Sequence, residues 1–396
     1  MKSLTAVEES IIELRHAIHR RPETGLELPE TQRRILEALD GLPLEITAGE
    51  GLSSVVAVLR GSRPGPTVLL RADMDALPVA ERTGLPFASE IEGVMHACGH
   101  DTHVAMLVGA AKLLSARRDE IHGDVVFMFQ PGEEGWWGAR LMIEEGVLEA
   151  SGREVAVAYG MHVYSGLLPA GTFATRVGAQ TSASARLKVR VIGRGGHGSR
   201  PHLSADPLPA ACEMVLAMQT ALTRTVDIFD PAVVTVGHFQ AGTKRNVIPD
   251  AAEFDATIRS YSAQAADKIE EVVTRVCRGI AAAHGLEIEL EYYREYPAMI
   301  GTRESYEVVQ DVVTELFGAE RFVELEHPMY GSEDFAFVLE KVRGNFIVLG
   351  ACPPENDLSS APTNHSATVE FDDRVLIDGA LVYAEVALRH LREVSA

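Results

Sequence analysis

Apolar positions near the start of the chain recur at helical spacing. Ile11, Ile12, Leu14 and Ile18 follow Thr5 and Glu8, which are set as a capping box, so a helix over about residues 6–20 is predicted. Further on come short apolar runs without alternation: TVLL (67–70), VVFMF (125–129), VAVAYGM (155–161) and FIVLG (346–350). Continuous runs of this length read as strands buried on both faces. Between the first two lies THVAMLVGAAKLLSARR, apolar around much of its circumference and preceded by Asp101 as an expected N-cap, hence a helix packed on the sheet.

The texture changes from about residue 183. In ARLKVRVIG, Leu187, Val189 and Val191 alternate with Arg186, Lys188 and Arg190, as a strand with one solvated face requires. Runs at 232–239, 252–261 and 286–293 repeat the pattern, with helical spacing at about 206–223 and 263–283. The order βαββαβ is the split, ferredoxin-like arrangement. After about residue 297 a helix, a buried strand, a Pro-rich loop (352–364) and a C-terminal helix (about 374–393) follow. The expected fold is therefore a larger mixed-sheet α/β domain, residues 1–182 and 298–396, interrupted by a smaller α+β domain, residues 183–297. A chain of 396 residues suits two such cores.

Composition narrows the partners. A formal net charge of −21 repels nucleic acid and anionic membranes alike, so neither is expected to bind. Four widely spaced cysteines, Cys98, Cys212, Cys277 and Cys352, suit free thiols in a reducing compartment better than a disulfide framework. The N-terminus has no signal-peptide pattern and no segment gives about 18 uninterrupted apolar residues. A cytoplasmic location is the expectation.

In an open α/β sheet, ligands bind beyond the carboxyl ends of the strands. There the sequence sets Asp73 and Asp75 after TVLL, Glu133 and Glu134 after VVFMF, His162 after VAYGM, and Asn364-His365 in the loop after FIVLG. His96, Cys98 and His100 precede the apolar helix. Each alone has a plain reading: a structural histidine, an incidental Cys-x-His, a solvated acidic turn. Together, imidazole, carboxylate and thiolate converging on one rim suit Zn²⁺ and neighbouring transition ions.

The motifs RADMDALP (71–78), HACGHD (96–101), QPGEEG (130–135), GMH (160–162), RGGHGSRPH (194–202), NVIPD (246–250), YGSEDF (330–335) and TNHSA (363–367) resemble peptidase family M20 in collinear order. The likeness is narrowest to its amidohydrolase branch of hippurate hydrolases, N-acyl-amino-acid deacylases and auxin-conjugate hydrolases. The resemblance implies that Cys98, His100, Glu134, His162 and His365 ligate two divalent ions per subunit (Zn, Mn, Co or Ni), and five side chains are few enough that a ligand must be shared. It implies that Glu133 is the general base and that Asp75 orients a ligand imidazole. In the inserted domain it implies that His197 reaches a neighbouring subunit's active site in a homodimer or homotetramer. Asn246 and Arg259 would hold the substrate carboxylate, and Gly331 and Ser332 would form a substrate-contacting loop. Trp136 and Trp137, directly after the acidic pair, depart from the pattern and are read either as lining an acyl pocket or as packing on the core.

The leading expectation is hydrolysis of the amide bond of a small-molecule N-acyl amino acid, releasing a carboxylic acid and an amino acid. A dipeptidase and an N-acetyl-diamino-acid deacetylase remain alternatives. A catalytically silent metal-binding scaffold is the reading from another class; Glu133 argues against it, since a purely structural ion needs no base beside it.

Overall fold

A computed structural model describes residues 4–49 and 51–393. It divides into two compact units: residues 1–180, 300–327 and 337–396, and residues 181–299 with 328–336.

The first unit opens with α1 (Leu4–His19) and α2 (Pro29–Leu39), then an antiparallel pair, β1 (Leu44–Ala48) and β2 (Val55–Arg60). β3 (Arg63–Asp73), α3 (His100–Ala116), β4 (His122–Gln130), α4 (Gly138–Glu144), β5 (Val155–Pro169) and β6 (Phe173–Thr175) follow. The apolar runs of β3 and β4 are buried on both faces, as their lack of alternation requires.

A short strand, β7 (Gly178–Thr181), leads into the second unit, whose strands β8 (Ala183–Ile192), β9 (Gly196–His197), β10 (Ala232–Ala241), β11 (Val247–Ile248), β12 (Ala251–Ser260) and β13 (Glu287–Tyr296) enclose α5 (Pro207–Thr225) and α6 (Ala263–Ala283). The sheet order β10-β12-β8-β13, with every pairing antiparallel, is the ferredoxin-like arrangement. Leu187, Val189 and Val191 are fully buried against α5 and α6, whereas Arg186, Lys188 and Arg190 are exposed. Residues 328–336 also belong to this unit, although no periodicity in that stretch signals it.

The chain then gives β14 (Met299–Gly301), α7 (Arg303–Phe317), β15 (Phe322–Glu324), α8 (Ala336–Leu339), β16 (Gly344–Cys352) and α9 (Leu376–Glu393). The eight-stranded sheet of the first unit runs β1-β2-β4-β3-β5-β16-β6-β15. Its centre, β4-β3-β5-β16, is parallel, so these strands present their carboxyl ends to one rim. α1, α3 and α9 cover a core built on Ile11, Leu70, Met106, Phe127, Tyr159 and Tyr383.

Three local expectations need correction. α1 begins at Leu4, so Thr5 lies inside its first turn and does not cap it. Asp101 is not the cap of α3: Gly99, at φ +85°, precedes the helix, and Asp101 is buried in the first turn. His162 is not at a strand end, because β5 continues to Pro169. The register nonetheless sets it at the rim: Gly160 opposes Arg71, so His162 stands level with Asp73 and Gln130, where β3 and β4 stop.

Candidate metal centre

The segment between Met95 and α3 delivers the first two candidate donors, Cys98 and His100. Gly99 takes a left-handed φ that side chains resist, and a Cβ there would meet Val163 Cγ2 at 2.5 Å. That turn lets Cys98 and His100 face the same space. Cys98 Sγ lies 3.3 Å from His162 Nε2 and 3.2 Å from His365 Nε2. Among the groups whose donor atoms lie within 4.8 Å of one another are Cys98, His100 and His162, and Cys98, Glu134 and His365. These two share the Cys98 sulfur. Glu133, 8% exposed, reaches the same space, its carboxylate grouped with His100 and Glu134.

Neighbouring groups fix these side chains. Asp75 accepts the backbone N–H of Glu133 at 3.0 Å and of Glu134 at 3.1 Å, holding both carboxylates at the end of β4. Its Oδ1 also lies 3.5 Å from His100 Nδ1. His162 Nδ1 is 2.8 Å from the Val163 carbonyl; the proton therefore belongs on Nδ1, which leaves Nε2 as a lone pair aimed at Cys98. His365 sits at φ +71°, a strained conformation for a histidine, and Asn364 secures it. The Asn364 amide donates to the carbonyls of Val163 (3.0 Å) and Cys98 (3.3 Å) and accepts from Ser165 N–H (3.1 Å).

Charge in the site is matched to a cation. Burial drives the His162 pKa well below its ordinary value, so the ring is a neutral donor. His365 is pushed up to about 10 by the Cys98 sulfur and Glu134 beside it. Both ring nitrogens of fully buried His100 lack a hydrogen-bond partner, the nearest carboxylates standing at 3.5 and 3.6 Å. A buried imidazole without a hydrogen-bond partner, beside a thiol and two carboxylates, fits transition-ion ligation.

A second buried network stands behind the ligands. Arg71 Nε donates to Gln130 at 2.8 Å and Nη1 to Asp73 at 2.7 Å. Asp73 Oδ1 lies 2.5 Å from His103 Nδ1, and His103 Nε2 accepts Val163 N–H at 2.9 Å. His103 is thus engaged at both nitrogens and is a brace, not a ligand. The sequence reading missed His103, Arg71 and Asn364 in these roles. His103 carried a signal, standing one helical turn after His100.

The remaining candidates lie in the second unit. His197 is exposed on β9 opposite Val247, and Gly198 N–H donates to the Asn246 carbonyl at 2.9 Å, so His197 and Asn246 are neighbours. Arg259 Nη1 donates to Ser184 Oγ (2.9 Å), Thr257 Oγ1 (2.8 Å) and the Ile258 carbonyl (2.9 Å). Ser182 N–H donates to the Gly331 carbonyl at 3.0 Å, and Ser182 Oγ lies 3.4 Å from Ser332 Oγ. Back in the first unit, Trp136 and Trp137 are 53% and 42% exposed, so neither is a core residue; the Trp136 indole lies across Gly25.

Residues 69–389 match the family described as peptidase family M20/M25/M40. Thermostable carboxypeptidase 1 of Saccharolobus solfataricus is 39% identical, the match covering 97% of this chain and 96% of that protein. Hippurate hydrolase of Campylobacter jejuni is 36% identical, with 96% of each covered. Among solved structures, the YXEP protein of Bacillus subtilis, described as a dinuclear metal-binding peptidase of the M20 family, superposes with a TM-score of 0.84 at 33% identity, covering 98% of this chain and 99% of that one.

Proposed function

The chain belongs to peptidase family M20/M25/M40 and is a hydrolase of amide bonds, and from that premise we propose that it cleaves N-acyl amino acids with two divalent ions per subunit. The observation that carries this reading is the pair of donor sets meeting at the Cys98 sulfur, with Glu133 facing the same space. Cys98 would be the shared ligand, with His100 and His162 completing one site and Glu134 and His365 the other. Bound there, the ions would supply Lewis acidity to the amide carbonyl and to water. Glu133 takes the proton of the attacking water and returns it to the leaving nitrogen. Asp75, bonded to the backbone of both glutamates, keeps that carboxylate aimed while the proton moves.

The second unit supplies recognition in this reading. Arg259 and Asn246 hold the carboxylate of the amino-acid half, for which a guanidinium is well shaped, and Gly331 and Ser332 border it. His197 acts in the site of a second copy, stabilising the developing oxyanion within a homodimer or homotetramer. Zinc, manganese, cobalt and nickel all suit the donors.

A second reading, carboxypeptidase action, is favoured by the 39% identity to the Saccharolobus protein. Both readings require an amino acid with a free carboxylate as leaving group; they differ in the acyl side. The test is release of amino acid from hippurate, N-acetyl amino acids and N-blocked dipeptides, with and without chelator and with each metal added. Simple N-acyl amino acids turned over faster than dipeptides support the leading reading. The opposite order makes the protein a carboxypeptidase, and chelator-insensitive turnover defeats both.

A further inference from the structure

The inward face of α1 carries Val7, Ile11 and Ile18, as a helix packed on a sheet should, but also Arg15 and His19, which are 0% and 1% exposed. Removing a guanidinium from water is expensive, and a well-packed apolar residue in its place is often neutral or stabilising. Packing alone therefore gives no reason for these two residues.

Their contacts do. Arg15 Nε donates to Asp101 Oδ2 at 3.1 Å, while Nη1 donates to the Phe371 carbonyl at 2.8 Å and pairs with Asp373. His19 Nδ1 lies 2.9 Å from the same Asp101 oxygen, and its Nε2 is 3.3 Å from Glu81. Asp101 follows His100 directly. The Phe371 ring would lie 3.2 Å from a Cβ on Gly99, the left-handed joint between Cys98 and His100. One guanidinium thus grips both the helix turn after His100 and the segment whose ring closes over Gly99. His19 holds the same carboxylate oxygen. Although burial opposes its charge, Asp101 and Glu81 raise the His19 pKa to about 9, so the clamp is ionic at neutral pH.

We propose that Arg15 and His19 are positioning residues that lock the Cys98–Asp101 backbone so that Cys98 and His100 converge on one ion. Both lie outside residues 69–389, the span of the family match. The inference rests on the metal-site reading above.

The test is the zinc dissociation constant, by competition with a chromogenic chelator, for wild type, Arg15→Met, Arg15→Lys and His19→Gln, with far-UV circular dichroism and Tm of each metal-free protein. Arg15→Met and His19→Gln should weaken zinc about ten- to a hundredfold while folded, the range for loss of a group that orients a ligand. Arg15→Lys, which can reach Asp101 or the Phe371 carbonyl but not fork to both, should recover part of that loss. Folded variants that hold zinc within about twofold of wild type would overturn the clamp, whatever their Tm. If Arg15→Met does not fold, His19→Gln carries the same comparison. If wild type binds no zinc, the same competition is run with manganese, cobalt and nickel; a wild type that binds none of the four overturns the metal-site reading itself, and the clamp with it.

Discussion

Glu133 and Glu134 are adjacent in the chain and both reach the ligand space, yet they are assigned different work. Glu134 belongs to the set with Cys98 and His365; Glu133 groups with His100 and Glu134 and is 8% exposed. Distance alone does not separate a base from a ligand, but removing the charge does. Glu133→Gln keeps the shape and the backbone bond to Asp75 and loses the proton acceptor. Metal content should stay at the wild-type level while kcat falls by about 10²–10⁴, the usual effect of losing a general base. Loss of metal in step with activity would make Glu133 a ligand instead.

At the scale of elements, the site depends on where α3 starts. Gly99→Ala forces a side chain into a left-handed φ, at about 1–2 kcal/mol, and sets its Cβ at 2.5 Å from Val163 Cγ2. The expected outcome is a lower Tm together with weaker metal binding, because the strain falls between Cys98 and His100, the two proposed ligands; calorimetry beside chelator competition checks it, and unchanged metal affinity would show that the turn is not what sets their geometry. The same element marks how far the sequence could be read. Buried runs and alternating strands were legible because periodicity reports burial directly: Leu187, Val189 and Val191 face inward as their alternation requires, and the second unit's ferredoxin-like order follows from four such runs with two helical stretches between them. The start of α3 was not legible. Asp101 has the residue type of a cap, and only its long-range partners Arg15 and His19 explain why it lies inside the helix. His162 was found as a ligand candidate but misplaced at a strand end, since β5 gains its last residues by pairing with β16, which no local pattern shows. The braces His103 and Asn364 escaped because their roles depend on partners distant in the chain, Asp73 and Val163 for His103 and Cys98, Val163 and Ser165 for Asn364.

For the whole molecule, recognition is proposed for the second unit and chemistry for the first, with His197 acting in another copy's site. Complementation separates this from action within one chain. Glu133→Ala and His197→Ala homodimers, each inactive, are mixed under conditions that exchange subunits. If His197 acts in trans, one site of each mixed dimer has an intact Glu133 and the partner's intact histidine, and activity returns. Verified exchange without recovery rejects the trans role and leaves the first unit's chemistry untouched. The central claim is that amide hydrolysis runs on two ions sharing Cys98, and the most direct measurement is titration of the metal-free protein with zinc or manganese, following bound metal per chain and hippurate hydrolysis together. Activity should be absent at the start and reach its plateau at two ions per chain, with Cys98→Ala binding less and recovering little. Full activity without metal, or a wild-type plateau in a Cys98→Ala protein, would contradict it.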